Sequence, residues 1–164
     1  MKLKSAEKLF RLAYTDMLTG VANRNAYEEK LKYVRKSHAA IRDITVVVAD
    51  LNGLKYINDN YGHHTGDEAL KIVANALQKT IGKKGEIYRV GGDEFVCLIT
   101  GKTLGCISEF RDHIAYEREA LSYRLSVSLG YVTYNDSFGG DIDLMIKHCD
   151  RLMYADKKRS KNRC

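Results

Sequence analysis

Arg89-Val-Gly-Gly-Asp-Glu-Phe-Val-Cys-Leu-Ile99 is the most informative stretch of the sequence, because it places a glycine pair and two acids between apolar runs. This pattern predicts a β-hairpin in which Gly91 and Gly92 supply the positive φ of a tight turn. The two glycines also carry no Cβ that would hold a ligand away from the backbone. The residues after Glu94 are apolar at both odd and even positions, so the second strand is expected to be covered on both faces.

The acids of this turn have two readings. Carboxylates at the tip of a buried hairpin are costly unless a cation meets them, whereas an exposed acidic turn in water is ordinary. The stretch Ile44–Leu51 favours the first reading, because it is rich in β-branched residues and its apolar run ends at Asp50. An acid at the carboxyl end of a central strand lies where open α/β sheets bind ligands. If the hairpin pairs beside this strand, Asp50 and Asp93 converge.

Two converging carboxylates and a backbone carbonyl predict a magnesium site. Mg²⁺ binds oxygen ligands and commonly completes its octahedral shell with waters and substrate phosphates. The sequence therefore indicates a phosphoryl-transfer site.

The composition is that of one soluble domain. The chain has 164 residues, of which 45% are hydrophobic and 29% charged. No apolar run is long enough for a membrane span, and the charged N-terminus lacks the apolar core of a signal peptide, so we expect a cytoplasmic location. No pair among the cysteines has C-x-x-C spacing, which favours reduced thiols at Cys97, Cys106, Cys149 and Cys164.

The net charge of +6 permits a nucleic acid, an anionic membrane or a polyphosphate as partner. Much of the excess lies in Lys157–Arg163, and such a basic C-terminal run is most often a solvated tail. Lys157 and Lys161 would share a face if the preceding helix continues through them.

The remaining pattern predicts an α+β fold, with an antiparallel central sheet and helices packed around it in the split βαβ, ferredoxin-like manner. Asn23 or Asn25 is expected to cap a helix that runs to about residue 36. Thr65 and Glu68 have the capping-box form, which makes Asp67 either a first-turn acid or a ligand contact. Predicted helices cover 2–14, 53–59, 104–121 and the chain from 141, and predicted strands cover 44–50, 86–90, 95–99 and 125–132.

Six stretches together resemble the GGDEF family of diguanylate cyclases, over Asp16 to about Arg163. They stand in the family's order and spacing: Asp16–Arg24, Asp50–Asp59, Gly62–Asp67, Arg89–Phe95, Ser126–Gly130 and Tyr154–Lys157. The resemblance implies a nucleotidyl-cyclase type of domain at 16–164 that condenses two GTP into cyclic di-GMP and releases two pyrophosphates. Residues 1–15 would form an N-terminal helix, either the end of a linker from an upstream domain or a helix docked on the core.

The resemblance also implies site residues. Mg²⁺ or Mn²⁺ would be held by Asp50, the Leu51 carbonyl and Asp93. Asp93 or Glu94 would accept the proton of the attacking ribose 3′-hydroxyl, and Lys55, otherwise a solvent-facing lysine, would stabilise charge on the phosphate. The residues expected to contact the nucleotide are Asn58, His63, Asp67, Gly91, Gly92, Lys157 and Lys161. Arg89 is expected to have a structural or a phosphate-facing role, and His63 alone would read as a turn histidine.

The sequence departs from the family's pattern at several positions. Asn52 stands where a second acid is common, Leu54 where phenylalanine is common, and Ser160 and Lys161 where glycine and arginine are usual. The family's Arg-x-x-Asp product-inhibition motif would fall at Gly82–Gly85, which reads Gly-Lys-Lys-Gly, so we expect no such inhibitory site.

An antiparallel homodimer is expected for catalysis, because each domain would hold one GTP, and no contact with nucleic acid or membrane is expected. The alternative is a catalytically silent module that binds GTP and regulates another protein. A ferredoxin-like RNA binder would need exposed aromatic residues on the sheet, whereas Tyr88 and Phe95 are expected in the core.

Overall fold

The computed structural model describes residues 2–37, 41–101 and 104–161, without the side chains of 2–6, Lys83, Leu104, Asp136 and Lys161. The described part contains six helices and four strands. In chain order they are α1 (Lys2–Tyr14), α2 (Arg24–Lys36), β1 (Ile44–Leu51), α3 (Leu54–Tyr61), α4 (His63–Ile81), β2 (Gly85–Arg89), β3 (Glu94–Thr100), α5 (Leu104–Glu119), β4 (Val127–Thr133) and α6 (Ile142–Lys161). Short 3₁₀ turns at Gly82–Lys84 and Asp136–Phe138 complete it.

The strands form one antiparallel sheet in the order β2-β3-β1-β4. The predicted α+β class and its four strands are therefore confirmed. β1 is central and every residue in it is buried, which explains why its sequence is a continuous apolar run instead of an alternating one.

Helices cover both faces of the sheet. Val47 and Ala49 of β1 pack with α4 and α5, and the intervening Val46 and Val48 pack with α2 and α6. Successive residues of a strand point to opposite faces, so a fully apolar β1 serves two cores. The prediction that both faces of β3 are covered is confirmed in the same way. Tyr88 and Phe95 are buried, as the argument against an RNA-binding sheet face requires.

The hairpin differs from its prediction. β2 ends at Arg89 and β3 begins at Glu94, which leaves a connection of four residues, and neither Gly91 nor Gly92 has a positive φ. A longer loop closed by the Val90 N–H on the Glu94 carbonyl (3.0 Å) does not need the left-handed backbone of a two-residue turn. The other expected role of the glycines, close approach of a ligand to the backbone, is compatible with the structure, because no atom lies within 4 Å of a Cβ built on Gly92.

The start of α4 also differs from its prediction. α3 ends at Tyr61, Gly62 adopts a φ of 87°, and α4 begins at His63 without a side-chain cap. The Thr65 hydroxyl donates to the Tyr61 carbonyl (2.7 Å), so Thr65 is not an N-cap, and Asp67 lies beyond the first turn. The Asn23 cap of α2 is confirmed, since its side chain accepts from the Ala26 N–H at 3.1 Å.

Cys97, Cys106 and Cys149 are buried free thiols, as predicted, and Cys164 lies outside the described residues. Among the described helices, none is long and apolar enough to span a membrane.

Candidate active site

The end of β1 and the tip of the hairpin meet at one edge of the sheet. Asp50 is the direct cross-strand partner of Glu94, so both side chains leave the same face. The Leu51 N–H donates to the Asp93 carbonyl at 2.9 Å, which fixes Asp93 beside the end of β1. The structure therefore brings together the three acids that the sequence placed in the site.

Asp50 is buried, with 5% of its surface exposed, and Lys157 of α6 compensates its charge. The Lys157 ammonium donates to Asp50 Oδ1 at 2.7 Å. Burial raises the pKa of Asp50 above its ordinary value, the pair with Lys157 opposes this rise, and the charge of Asp93 adds to it. The resemblance assigns Lys157 to the substrate phosphates. In this structure its ammonium group instead pairs with Asp50, as a bound cation would.

Glu94 lies among other acids. Burial raises its pKa, and the charges of Asp50, Asp93 and Asp150 raise it further. A carboxylate with a raised pKa is a stronger proton acceptor, as a general base near neutral pH requires. Asp150 was missed by the sequence reasoning. It precedes Lys157 by seven residues, so helical periodicity alone would have placed the two on one face of α6.

Arg89 holds the hairpin in place. One of its guanidinium nitrogens donates to Asp16 at 3.1 Å, and another donates to the Gly92 carbonyl at 2.7 Å. Burial would raise the pKa of Asp16, but hydrogen bonds from Thr19 and the charge of Arg89 lower it overall. Of the two roles expected for Arg89, these contacts support the structural one.

Asn52 closes the other side of the β1 end. Its amide donates to the hydroxyls of Ser126 and Ser128 at 3.1 and 2.8 Å, and the Ser128 hydroxyl donates back at 3.0 Å. The residue that replaces the family's second acid is therefore engaged with β4 and its preceding loop.

The remaining candidate residues lie on α3, α4 and α6. Asn58 is half-buried against Gly66, where a Cβ would lie 1.9 Å from Asn58 Oδ1, and Asp67 follows directly. His63, Asp67 and Lys55 are exposed. Lys161 is the last residue of α6, and its side chain lies outside the described part of the structure.

Two cavities flank the acids. One, of about 280 Å³, lies between the start of α3 and the end of α6 and includes Gly53, Tyr56, Arg124 and Lys157 in its lining. The other, of about 430 Å³, lies between α2 and α6 over the sheet. We call the second cavity the α2–α6 pocket; its polar residues are Arg24, Glu94 and Asp150.

The donor set fits a divalent cation. Asp50 and Asp93 are hard oxygen ligands, and the buried Asp50 already holds a cationic group at 2.7 Å. In the described residues no group of three or more His, Cys, Asp and Glu forms a metal cage by itself.

The antiparallel sheet, its helical layers and the carboxylates at the end of the central strand define a cyclase-type α+β domain. The family model for "Diguanylate cyclase, GGDEF domain" matches residues 13–163, so the chain belongs to the GGDEF family.

Its relatives include proteins with opposite activities in their names. The chain is 32% identical over 161 residues to diguanylate cyclase DgcP of Pseudomonas aeruginosa, covering 92% of this chain and 23% of that protein. It is 32% identical over 162 residues to cyclic di-GMP phosphodiesterase PdeR of Escherichia coli, covering 94% and 24%. The chain thus spans about a quarter of the length of these relatives.

A solved structure shows the same fold. The coiled coil and GGDEF domain of DgcB from Caulobacter crescentus, in complex with c-di-GMP, matches with a TM-score of 0.80 at 23% identity. The match covers 94% of this chain and 86% of that one.

Proposed function

We propose that this domain is a diguanylate cyclase that condenses two GTP into cyclic di-GMP and releases two pyrophosphates. The observation that carries the proposal is the junction of Asp50, Asp93 and Glu94 at one sheet edge, with Lys157 on Asp50 at 2.7 Å. A domain that only folds has no physical need to gather three acids around a buried charge, because each raises the cost of the others.

Glu94 is the preferred proton acceptor. In each transfer the ribose 3′-oxygen forms a bond to the α-phosphorus of the other GTP, the bond to pyrophosphate breaks, and the hydroxyl proton passes to the base. Burial and the neighbouring acids raise the pKa of Glu94, which improves its proton affinity. Asp93 is the alternative acceptor. Lys55, exposed at the start of α3, is proposed to stabilise the charge that develops on the phosphate.

Mg²⁺ or Mn²⁺ would be held by Asp50, the Leu51 carbonyl and Asp93. When bound, the cation neutralises the triphosphate and lowers the pKa of the attacking hydroxyl. Lys157 and Lys161 are proposed to hold the terminal phosphates, and Gly91 and Gly92 to allow close approach of the nucleotide. The open space above Gly92 supports this last role.

The first guanine is proposed to bind on α3 and α4. Asn58 and Asp67 can accept from the N1–H and exocyclic amine of guanine, and His63 lies nearby at the start of α4. Because each active site would hold one GTP, two domains facing each other in antiparallel orientation are needed. We propose residues 16–164 as the catalytic unit, with α1 as a separate N-terminal helix whose Leu9, Phe10 and Leu12 are exposed.

A second candidate is a silent module that binds GTP and regulates a partner. The observation in its favour is the Lys157–Asp50 pair, which places an ammonium group where a catalytic cation would bind.

One assay separates the candidates. The domain is incubated with GTP and Mg²⁺ over a series of enzyme concentrations, and cyclic di-GMP is measured by chromatography. A cyclase that works as a dimer gives a rate that rises with the square of enzyme concentration, and Asp93→Ala abolishes product. GTP binding without product at every concentration supports the silent module.

The matched control for Asp93→Ala is Asp112→Ala, which removes an exposed acid from α5. It is expected to keep full activity. Product formation by Asp93→Ala at the rate of this control would show that the site residues are assigned incorrectly.

A further inference from the structure

Apart from Glu94, the residues that line the α2–α6 pocket have no role in the proposed reaction. It has a volume of about 430 Å³, within the usual range for small-molecule sites. Val48 and Val96 of the sheet form its apolar floor, and Ile146 and Met153 of α6 line it as well. It opens beside Glu94.

The charged side chains of the pocket, Arg24, Glu94 and Asp150, are all exposed to solvent. Among the described residues, neither Glu94 nor Asp150 accepts a hydrogen bond or forms an ion pair through its side chain. Arg24 makes one long contact, from Nη1 to the Val90 carbonyl at 3.3 Å. Partial burial raises the pKa of Asp150 above its ordinary value, although the residue is exposed. Because these charged side chains are accessible and lie over an apolar floor, a ligand that both donates and accepts hydrogen bonds can contact them.

The chemistry of these groups selects the ligand. Ionised carboxylates only accept hydrogen bonds, and a guanidinium only donates them. A simple amine would satisfy Asp150 but would be repelled by Arg24. Guanine has both edges in one plane: N1–H and the exocyclic amine donate, and O6 and N7 accept. Adenine would present the N1 lone pair to the carboxylate. Tyr27 and Tyr154 add aromatic surface for a flat base.

The position of the pocket separates it from the first guanine site. Its floor residues Val48 and Val96 lie on the sheet face covered by α2 and α6, whereas α3 and α4 pack on the opposite face. A GTP whose base is bound on α3 and α4 has no second base to place in this pocket. We propose that the α2–α6 pocket binds the guanine base of a second nucleotide, with Asp150 accepting from the base and Arg24 donating to it.

This inference extends the proposed function and rests on it for the choice of nucleotide. The guanine could belong to a linear nucleotide or to cyclic di-GMP, and the test below distinguishes these two sources. The pocket lies apart from Gly82–Gly85, where the family's inhibitory motif is missing.

The test is binding without turnover. The whole chain, labelled with ¹³C at its methionine methyl groups, is titrated in EDTA with GMP, AMP and cyclic di-GMP. Met153 lines the pocket and Met17 is exposed outside it, so the two report pocket binding and background. We expect GMP to shift the Met153 methyl signal saturably and AMP to bind about tenfold more weakly. A response to cyclic di-GMP but not to GMP would assign the pocket to the product.

Variants sharpen the test. Asp150→Asn and Arg24→Gln are each expected to weaken the response of Met153 to GMP by about tenfold. Both residues are exposed enough for the substitutions to be tolerated, and Asp112→Asn on α5 is the matched control with unchanged binding. Asn58→Ala removes the first guanine site and should leave the Met153 titration intact.

The inference is overturned by a Met153 signal that no guanine ligand moves, by equal responses to GMP and AMP, or by unchanged binding in Asp150→Asn. These outcomes are independent of cyclase activity, because no divalent cation is present. Cyclic di-GMP synthesis with an unmoved Met153 overturns the pocket alone. A shifted Met153 in a chain that makes no product overturns the proposed reaction alone.

Discussion

Gly130→Ala is expected to destabilise the domain strongly, because α6 lies directly on β4 at this residue. A Cβ on Gly130 would lie 2.0 Å from the Cys149 carbonyl oxygen and 2.6 Å from the Met153 nitrogen. Both are backbone atoms of α6, so the rotation of a side chain cannot relieve the clash. Real Cβ atoms essentially never approach other atoms within 3.0 Å, and the helix must therefore retreat by about 1 Å.

The magnitude follows from the packing. Overpacking a core commonly lowers the free energy of unfolding by about 1–3 kcal/mol. Because the added methyl group would clash with backbone atoms, which cannot move independently, we expect a loss of about 3 kcal/mol for Gly130→Ala. For a domain of this size, that corresponds to a fall in Tm of about 6–12 °C. Gly130 does not have a positive φ, so backbone strain does not contribute. Because α6 carries Lys157, cyclase activity should fall even where the variant remains folded.

Urea unfolding followed by circular dichroism measures the effect, with an unchanged m-value as the sign that only stability has altered. Gly105→Ala in α5 is the control, because no atom lies within 4 Å of its Cβ position. Helix propensity should leave that variant as stable as the parent or slightly more stable. A Gly130→Ala variant within about 0.5 kcal/mol of the parent would refute the close seating of α6 on β4.

Three further predictions concern the site. Asp150→Asn should raise the urea midpoint at pH 7. The pKa of Asp150 is raised in the folded state, so its carboxylate lowers stability as the pH rises through that pKa. The gain should vanish below the ordinary pKa of 3.8, and equal midpoints at pH 7 would contradict the prediction. Gly66→Ala should displace the Asn58 amide and weaken GTP binding, measured by calorimetry, about tenfold. The stability of the variant should stay within about 1 kcal/mol of the parent. An unchanged affinity would argue against a contact between Asn58 and GTP. Lys157→Met should lower the free energy of unfolding in urea by about 1–3 kcal/mol, because it leaves Asp50 buried and unpaired. Adding Asp50→Asn should restore most of this stability, and an unchanged stability in the single variant would mean that the pair is not formed in solution.

The sequence predicted what periodicity and composition control. β1 was found from its β-branched run, and the convergence of Asp50 with the hairpin followed from the pairing of two strands. The turns were less predictable. Gly91 and Gly92 were assigned a positive φ because glycine pairs favour two-residue hairpins, whereas the loop has four residues. The capping-box pattern of Thr65 and Glu68 predicts a helix start at Thr65, whereas Gly62, with a φ of 87°, separates α3 from α4.

Contacts between distant elements were the hardest to predict. Nothing local in α6 shows that Asp150 faces Glu94 or that Lys157 reaches Asp50, since both depend on how α6 crosses the sheet. The α2–α6 pocket has the same origin, because its polar residues come from α2, β3 and α6. Sequence spacing places residues on a face of their own element, and only packing decides which face meets which.

The Lys157–Asp50 pair bears directly on how the site would load its ligands. Asp50 is too buried to remain ionised cheaply without a cation, and Lys157 supplies one at 2.7 Å. An ammonium group that neutralises the buried Asp50 has less charge to offer to a terminal phosphate. Lys157 therefore becomes more available to a phosphate when another positive charge compensates Asp50. Binding of a divalent cation and of the triphosphate should then favour each other, and the free energy of this coupling is the cost of separating Lys157 from Asp50.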